Sequence, residues 1–199
     1  NAILYEGGTP VFADVLPDTL LIDPDDVAHK VTDATRAILA VDYAGQPCDY
    51  DALRPIAESN ELTIIADACH AIGGSLNGQP VGSIADFSVF SFHPVKHIAA
   101  GEGGMVTTDD EAAVSRMKVF RNHGITADHH ARAENGSWFY EMVELGYNYR
   151  LSDIHSALGE SQLKKLDASV NRRRAIAQQY NNSFVEMPGI SPLAESPGA

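Results

Sequence analysis

Basic residues are scarce in this chain: 14 lysines and arginines stand against 27 aspartates and glutamates, a formal charge of −13 over 199 residues. An excess of that size repels phosphate backbones and anionic membrane surfaces alike, which argues against nucleic acid and lipid headgroups as partners. Long apolar runs are missing too. No stretch approaches the roughly 20 residues that cross a bilayer, and the first residues lack the basic-then-apolar pattern of a signal peptide, so the expected location is cytoplasmic. The two cysteines, Cys48 and Cys69, stand at no metal-ligand spacing and read as small buried thiols of a reducing compartment. His129 and His130 lack a third ligand at a fixed spacing, and read as an exposed loop pair rather than a metal site. Internal repeats and low-complexity segments are absent as well. What is present is an ordinary globular mixture, 44% apolar and 21% charged, long enough for one sizeable core. The chain starts without Met in what reads as a strand entering a turn and ends in "MPGISPLAESPGA"; the expectation is a fragment of a longer protein.

Short β-rich runs alternate with helical stretches, the mark of an α/β layer fold. "TPVFADV" (9 to 15) reads as a strand, and "DPDDVAHKVT" (23 to 32) as a helix capped by Asp23, with Pro24 at its first position and two acids in its first turn. "RAILAVDY" (36 to 43) is a second strand, and "DYDALRPIAESN" (49 to 60) a helix capped by Asp49. "LTIIAD" (62 to 67) is continuously apolar, as expected of a parallel strand covered on both faces. The glycines after Asp67 and the Asn77-Gly78 pair predict tight turns. "DFSVFSF" (86 to 92) and "GGMVTTD" (103 to 109) read as neighbouring strands, "DEAAVSRMKVFRNH" as a helix and Gly124 to Ser137 as a polar loop. Two further helices follow, one over 152 to 166 with Ser152 as its cap, the other through "NRRRAIAQQYNNSF", whose basic face reads as solvated surface.

Open parallel sheets bind ligands at the carboxyl ends of their strands. Asp67 and Ser91 close two such runs, and Lys96 lies five residues beyond the serine in "SFHPVKHIAAGEGG". A lysine in apolar surroundings can act as a neutral amine that forms an imine with an aldehyde. Phe92, Pro94, Val95 and Ile98 give Lys96 such neighbours, and Gly101, Gly103 and Gly104 would let backbone approach a ligand closely. Taken singly, each residue has a plainer reading: a solvent-reaching charge for Lys96, a turn residue for Asp67, a hydrogen-bonded turn histidine for His70 and a strand-end cap for Ser91. Together they allow another. A carboxylate and an amine at strand ends of one sheet could hold a heteroaromatic ring from opposite ends, with the carboxylate keeping a ring nitrogen protonated.

Asp67-x-x-His70, then Ser91-x-x-x-x-Lys96 followed by "GEGG", resembles the DegT/DnrJ/EryC1/StrS family of sugar-nucleotide aminotransferases. The likeness runs on through "YAGQPCDYDAL" (43 to 53) and "VELGYNYRLSDIHSALGESQLKKLD" (143 to 167), and so covers most of the chain. "SFHPVKHI" with "WFYEMVELGYNYRLSDI" is most similar to the branch that transaminates UDP-4-keto-6-deoxy-N-acetylhexosamines on the route to pseudaminic acid. The resemblance implies an α/β fold of fold type I, the large domain of a pyridoxal-phosphate enzyme with a mostly parallel sheet flanked by helices. It implies a ping-pong transfer of an amino group, usually from glutamate, to a keto-sugar nucleotide. Lys96 would hold the pyridoxal 5'-phosphate as an imine and shuttle the proton; Asp67 would pair with the ring nitrogen, His70 approach the ring hydroxyl and Ser91 bind the phosphate. Asn148 would reach the phosphate of the other subunit across a homodimer interface, giving shared active sites. On this likeness, residues 1–166 are the cofactor-binding large domain without its first part, and 167–199 lead towards a small domain outside the sequence. The family's phosphate-binding turn and ring-stacking aromatic lie upstream of this segment. Two rivals share the fold: a sugar dehydratase, whose members replace the lysine with histidine, and a catalytically silent scaffold. The presence of Lys96 and Asp67 speaks against both.

Overall fold

The computed structural model describes residues 1–126, 136 and 138–199; the expected loop pair His129 and His130 lies outside the described residues. Four strands make the main sheet: β1 (Ala37–Val41), β2 (Thr63–Asp67), β5 (Phe87–Ser91) and β6 (Gly104–Thr107), in the order β1-β2-β5-β6. The first three run parallel, and β6 returns antiparallel beside β5. Between β2 and β5 a small antiparallel pair, β3 (Ser75–Leu76) and β4 (Gln79–Pro80), turns at Asn77-Gly78, both with positive φ. The Asn-Gly turn predicted there is a two-residue hairpin.

Helix boundaries follow their capping residues. Helix α1 (Ala2–Tyr5) is a single turn. The Asp23 carboxylate accepts the Asp25 amide at the start of α2 (Pro24–Lys30), and Asp49 accepts that of Ala52 in α3 (Tyr50–Ser59). Asp110 accepts two amides at the start of α4 (Glu111–Phe120), and Ser152 caps α5 (Asp153–Leu163). Each cap satisfies amides that have no partner within the helix. The last helix, α6 (Leu166–Phe184), starts directly after the Lys164–Lys165 break.

The core lies on one face of the sheet. Ile38 and Ala40 of β1 and Ile64 and Ala66 of β2 stand in register and pack with Val27 of α2 and Leu53 and Ala57 of α3. A smaller cluster, Ala68, Phe90, Phe92, Ile98 and Ala100, anchors the segment after β5. Asp86 ties the two regions together: its carboxylate accepts the Ile64 amide at 2.7 Å and the Arg54 guanidinium at 2.6 Å.

Three expectations need correction. The first residues are not a strand entering a turn but the helical turn α1. "TPVFADV" is not a strand: apart from one bridge, Val15 to Ile22, the segment finds no backbone to pair with among the described residues, and Val11 and Phe12 stay exposed. β2 is parallel on both sides, yet only its Ile64 and Ala66 face is buried; the opposite face is half-buried and continues into exposed Leu39 and Val41. Asp67 lies on that more open face.

Candidate active site

Asp67 is the last residue of β2, flanked in register by Val41 and Val89. Its backbone carbonyl accepts the Asp42 amide, and its carboxylate accepts the Cys69 amide at 3.2 Å, which closes a turn directly after the strand. Two further tight turns follow, Ala68 to Ala71 and Ala71 to Gly74, and the first of them carries His70. The His70 ring meets Tyr43, with centroids 6.1 Å apart and planes tilted by 59°. Tyr43 gets there because Gly45 (φ +95°) comes so near the His70 carbonyl that an added Cβ would sit 3.2 Å from that oxygen; a side chain would prop the two turns apart.

Ser91 ends β5, the neighbour of β2. Its Oγ accepts the His93 amide at 3.3 Å, which leaves the hydroxyl proton free for an anion. The chain then loops out and back: the Ala100 amide donates to the Phe92 carbonyl, and the Lys96 amide to that of His93. Buried Phe92, Ile98 and Ala100 pin the base of this loop, which carries Lys96. Of the five lysines, Lys96 alone is not exposed, and no carboxylate stands within ion-pair distance of it among the described residues. Lys30 and Lys164, by contrast, are paired with Asp26 and Glu160.

The thiol of Cys69 reports on the relation of these groups. Burial chiefly, then its hydrogen bond with Asp67 and the Asp67 charge, push it up to about 11, while the Lys96 charge acts in the opposite sense. Asp67 and Lys96 are therefore near one thiol without being ion-paired to each other. A flat group with a basic ring nitrogen at one end and an aldehyde elsewhere on its rim fits such a donor set: carboxylate, unpaired amine and a strand-end hydroxyl.

Asn148 does not join this group within the chain. It is exposed, and its backbone bridges Asn122. Gly103, expected to admit a ligand, instead admits Leu151: a Cβ there would meet that side chain at 2.6 Å.

Several contributors carry no local sequence signal. Asp42, buried at the end of β1, accepts the Cys48 amide at 2.9 Å and the Tyr50 hydroxyl at 2.7 Å, which fixes the turn bearing Tyr43. Burial, opposed by these bonds and aided by the Asp67 charge, raises its carboxyl above the ordinary range. His97 follows Lys96 with Nδ1 buried and unpartnered; burial first, then the Arg173, His70 and Lys96 charges, hold its imidazole below its usual range.

Similar proteins share this fold. SpsC of Bacillus subtilis, a spore coat polysaccharide biosynthesis protein, is 41% identical over 200 residues, covering 100% of this chain and 51% of SpsC. Among solved structures, Helicobacter pylori PseC, an aminotransferase of pseudoaminic acid biosynthesis, superposes with a TM-score of 0.86 at 35% identity over 94% of this chain and 48% of its own. Spr1654 of Streptococcus pneumoniae in its PMP form gives 0.85 at 35% over 92% of this chain and 51% of its own, and it is also solved in a PLP form. The chain spans about half the length of the curated relatives it matches. The mostly parallel sheet and its flanking helices agree with the fold of these PLP-dependent aminotransferases. The family's pattern matches from residue 1 to residue 199, and the chain belongs to the DegT/DnrJ/EryC1/StrS aminotransferase family.

Proposed function

We propose that this chain forms the lysine-bearing part of a pyridoxal-phosphate-dependent sugar-nucleotide aminotransferase. The reading rests above all on Lys96: it is the one lysine withdrawn from solvent, it lacks a counter-ion among the described residues, and its charge and that of Asp67 act on the same thiol. Solved relatives in PLP and PMP forms support the cofactor.

Bound pyridoxal phosphate supplies an electron sink for the substrate carbon that gains or loses a proton. The protein does the rest. Asp67, whose carboxylate accepts the Cys69 amide, would pair with a protonated ring nitrogen. Ser91, whose hydroxyl proton is not used by the His93 amide, would donate it to a phosphate oxygen. His70, whose ring meets Tyr43, would approach the ring hydroxyl. The Lys96 amine would take a proton from the donor amino acid and return one to the sugar carbon. Asn148, exposed and apart from these groups, serves the phosphate of a second copy, so that a homodimer shares its sites. Residues 1–166 then belong to the cofactor-binding domain, and α6 and the segment after it lead towards the next.

The amino acceptor in this reading is a 4-keto-6-deoxy sugar nucleotide, such as a UDP-N-acetylhexosamine derivative, and the donor is glutamate. The likeness to PseC supports that acceptor. The cytoplasm suits a protein whose two cysteines are free, and no helix among the described residues is long and apolar enough to cross a membrane. The test is spectroscopic: the intact protein with pyridoxal phosphate develops a lysine-linked absorption band near the visible edge that borohydride erases. The Lys96→Ala variant lacks the band and loses amino transfer by roughly 10² to 10⁴-fold. An undiminished band in that variant contradicts the assignment.

A further inference from the structure

Helix α5 meets the body of the chain through a narrow stripe. Between positions 150 and 161 only Leu151, His155 and Gly159 are not exposed. His155 and Gly159, four residues apart, share one face of the helix, and Leu151 lies just ahead of its cap. All three are turned to the same short piece of backbone. An added Cβ on Gly103 would meet Leu151 at 2.6 Å, one on Gly101 the His155 ring at 3.1 Å, and one on Gly159 the Ala100 side chain at 3.6 Å. The larger apolar residues of α5, Ile154, Leu158 and Leu163, are exposed instead.

Ala100, Gly101 and Gly103 form the neck of the loop that carries Lys96. The Ala100 amide donates to the Phe92 carbonyl at 2.9 Å and the Phe92 amide to the Gly103 carbonyl at 2.8 Å, which closes the loop. Whatever the neck rests on therefore sets where the loop stands. Gly101 has φ +85°, and without a Cβ it lets the His155 ring lie directly against its backbone.

An apolar side chain would fill that space equally well. The imidazole adds a fixed orientation, because its Nδ1 shares a hydrogen bond of 2.8 Å with the Ser152 Oγ. That oxygen also accepts the His155 amide at the start of the helix. Cap, helix start and ring are thus joined, with the ring edge, Cδ2 and Nε2, against Gly101.

We infer that His155 is a positioning residue for Lys96: oriented by Ser152, its ring is the stop on which the loop neck rests, and it fixes the place of the amine. The inference rests on the aminotransferase reading for what that amine does, and adds what holds it.

Three variants of the intact protein test this. H155A removes the stop, H155L fills the space without the Ser152 bond, and H155Q keeps both the bulk and a group for Ser152 to bond. Without cofactor, acetic anhydride acetylates Lys96 several-fold faster in H155A and H155L than in the wild type, measured by peptide mass against exposed Lys118. With pyridoxal phosphate, the pH at which the lysine-linked band changes moves in both, and kcat falls about 10 to 10²-fold at unchanged KM. H155Q stays near the wild type in every readout, and H155L keeps the wild-type unfolding midpoint. Gly101→Ala lowers kcat in the wild type and lowers it less in H155A, where the ring it would strike is gone.

Wild-type behaviour of H155L in acetylation and kcat, or equal losses from Gly101→Ala in the two backgrounds, overturns the inference. Faster acetylation with an unmoved band and unchanged kcat makes His155 a packing residue only and overturns it as well. Should H155A not fold, H155L against H155Q carries the comparison. If the band forms in the wild type and no variant changes the acetylation of Lys96, the positioning claim fails alone. If the band never forms, the aminotransferase reading fails and acetylation still decides what His155 holds.

Discussion

At the scale of single residues, Asp42 makes the sharpest statement. It is 1% exposed, one of its carboxylate oxygens has no partner, and burial raises its pKa above the ordinary 3.8. As pH climbs past the ordinary carboxylate value, the unfolded chain releases this proton while the folded chain keeps it. Folding stability therefore falls with pH until the raised folded value is passed, and is level beyond it. Asp42→Asn keeps an oxygen for the Cys48 amide and the Tyr50 hydroxyl but has nothing to titrate. Urea unfolding from about pH 4 upward should show the wild-type decline flattened in the variant; equal slopes would mean that Asp42 is not the group concerned. Its neighbours share its setting. Cys48, buried against Asp42, is pushed up to about 12, and burial also raises the Tyr50 phenol, so at neutral pH both stay protonated and the turn that carries Tyr43 is held by neutral donors.

At the scale of elements, the joint between α3, β2 and β5 is concentrated in Asp86. Asp86→Ala strands the Ile64 amide, which the β2–β5 pairing does not reach because that register starts at Ile65 and Phe87. A loss of about 1–3 kcal/mol is expected, measurable as a lower unfolding midpoint at unchanged slope. Leu53→Ala, at the fully buried centre of α3, should cost about 2–5 kcal/mol by leaving a cavity. Elements of this kind were legible in the sequence wherever the signal was local. Asp23, Asp49 and Ser152 announce helix starts by side-chain chemistry, and Asn77-Gly78 announces a turn. Strand ends then pointed to Asp67 and Ser91, and the apolar neighbours of the loop after Ser91 pointed to Lys96, while the likeness to a known family alone singled out Asn148. What was illegible depends on distant partners. "TPVFADV" has strand composition, but among the described residues only its last position, Val15, finds a backbone to bridge, and apolar β2 reads the same whether one face is covered or both. The contact of His155 with Gly101 joins remote parts of the chain, and no spacing rule connects them.

At the scale of the whole molecule, exposed apolar residues gather where a second copy is expected. Phe139, Met142, Leu145, Tyr149 and Ile154 surround Asn148 in sequence and are all exposed. A shared site makes a specific prediction for mixed subunits. Lys96→Ala and Asn148→Ala, each inactive alone, are combined by unfolding and refolding together. Half of the dimers are then mixed, each with one site that has both an intact Lys96 and an intact Asn148, so about a quarter of the activity returns. No recovery, with dimers present by light scattering, would place Asn148 in the same site as its own Lys96.

The central claim is that one amine of this chain, and no other, carries the cofactor. Reducing the cofactor-loaded protein with borohydride, digesting it and weighing the peptides reads this directly. The account predicts the added mass on the peptide containing Lys96 and none on those bearing Lys30, Lys118, Lys164 or Lys165. A label on any of these four, with Lys96 unmodified, contradicts it.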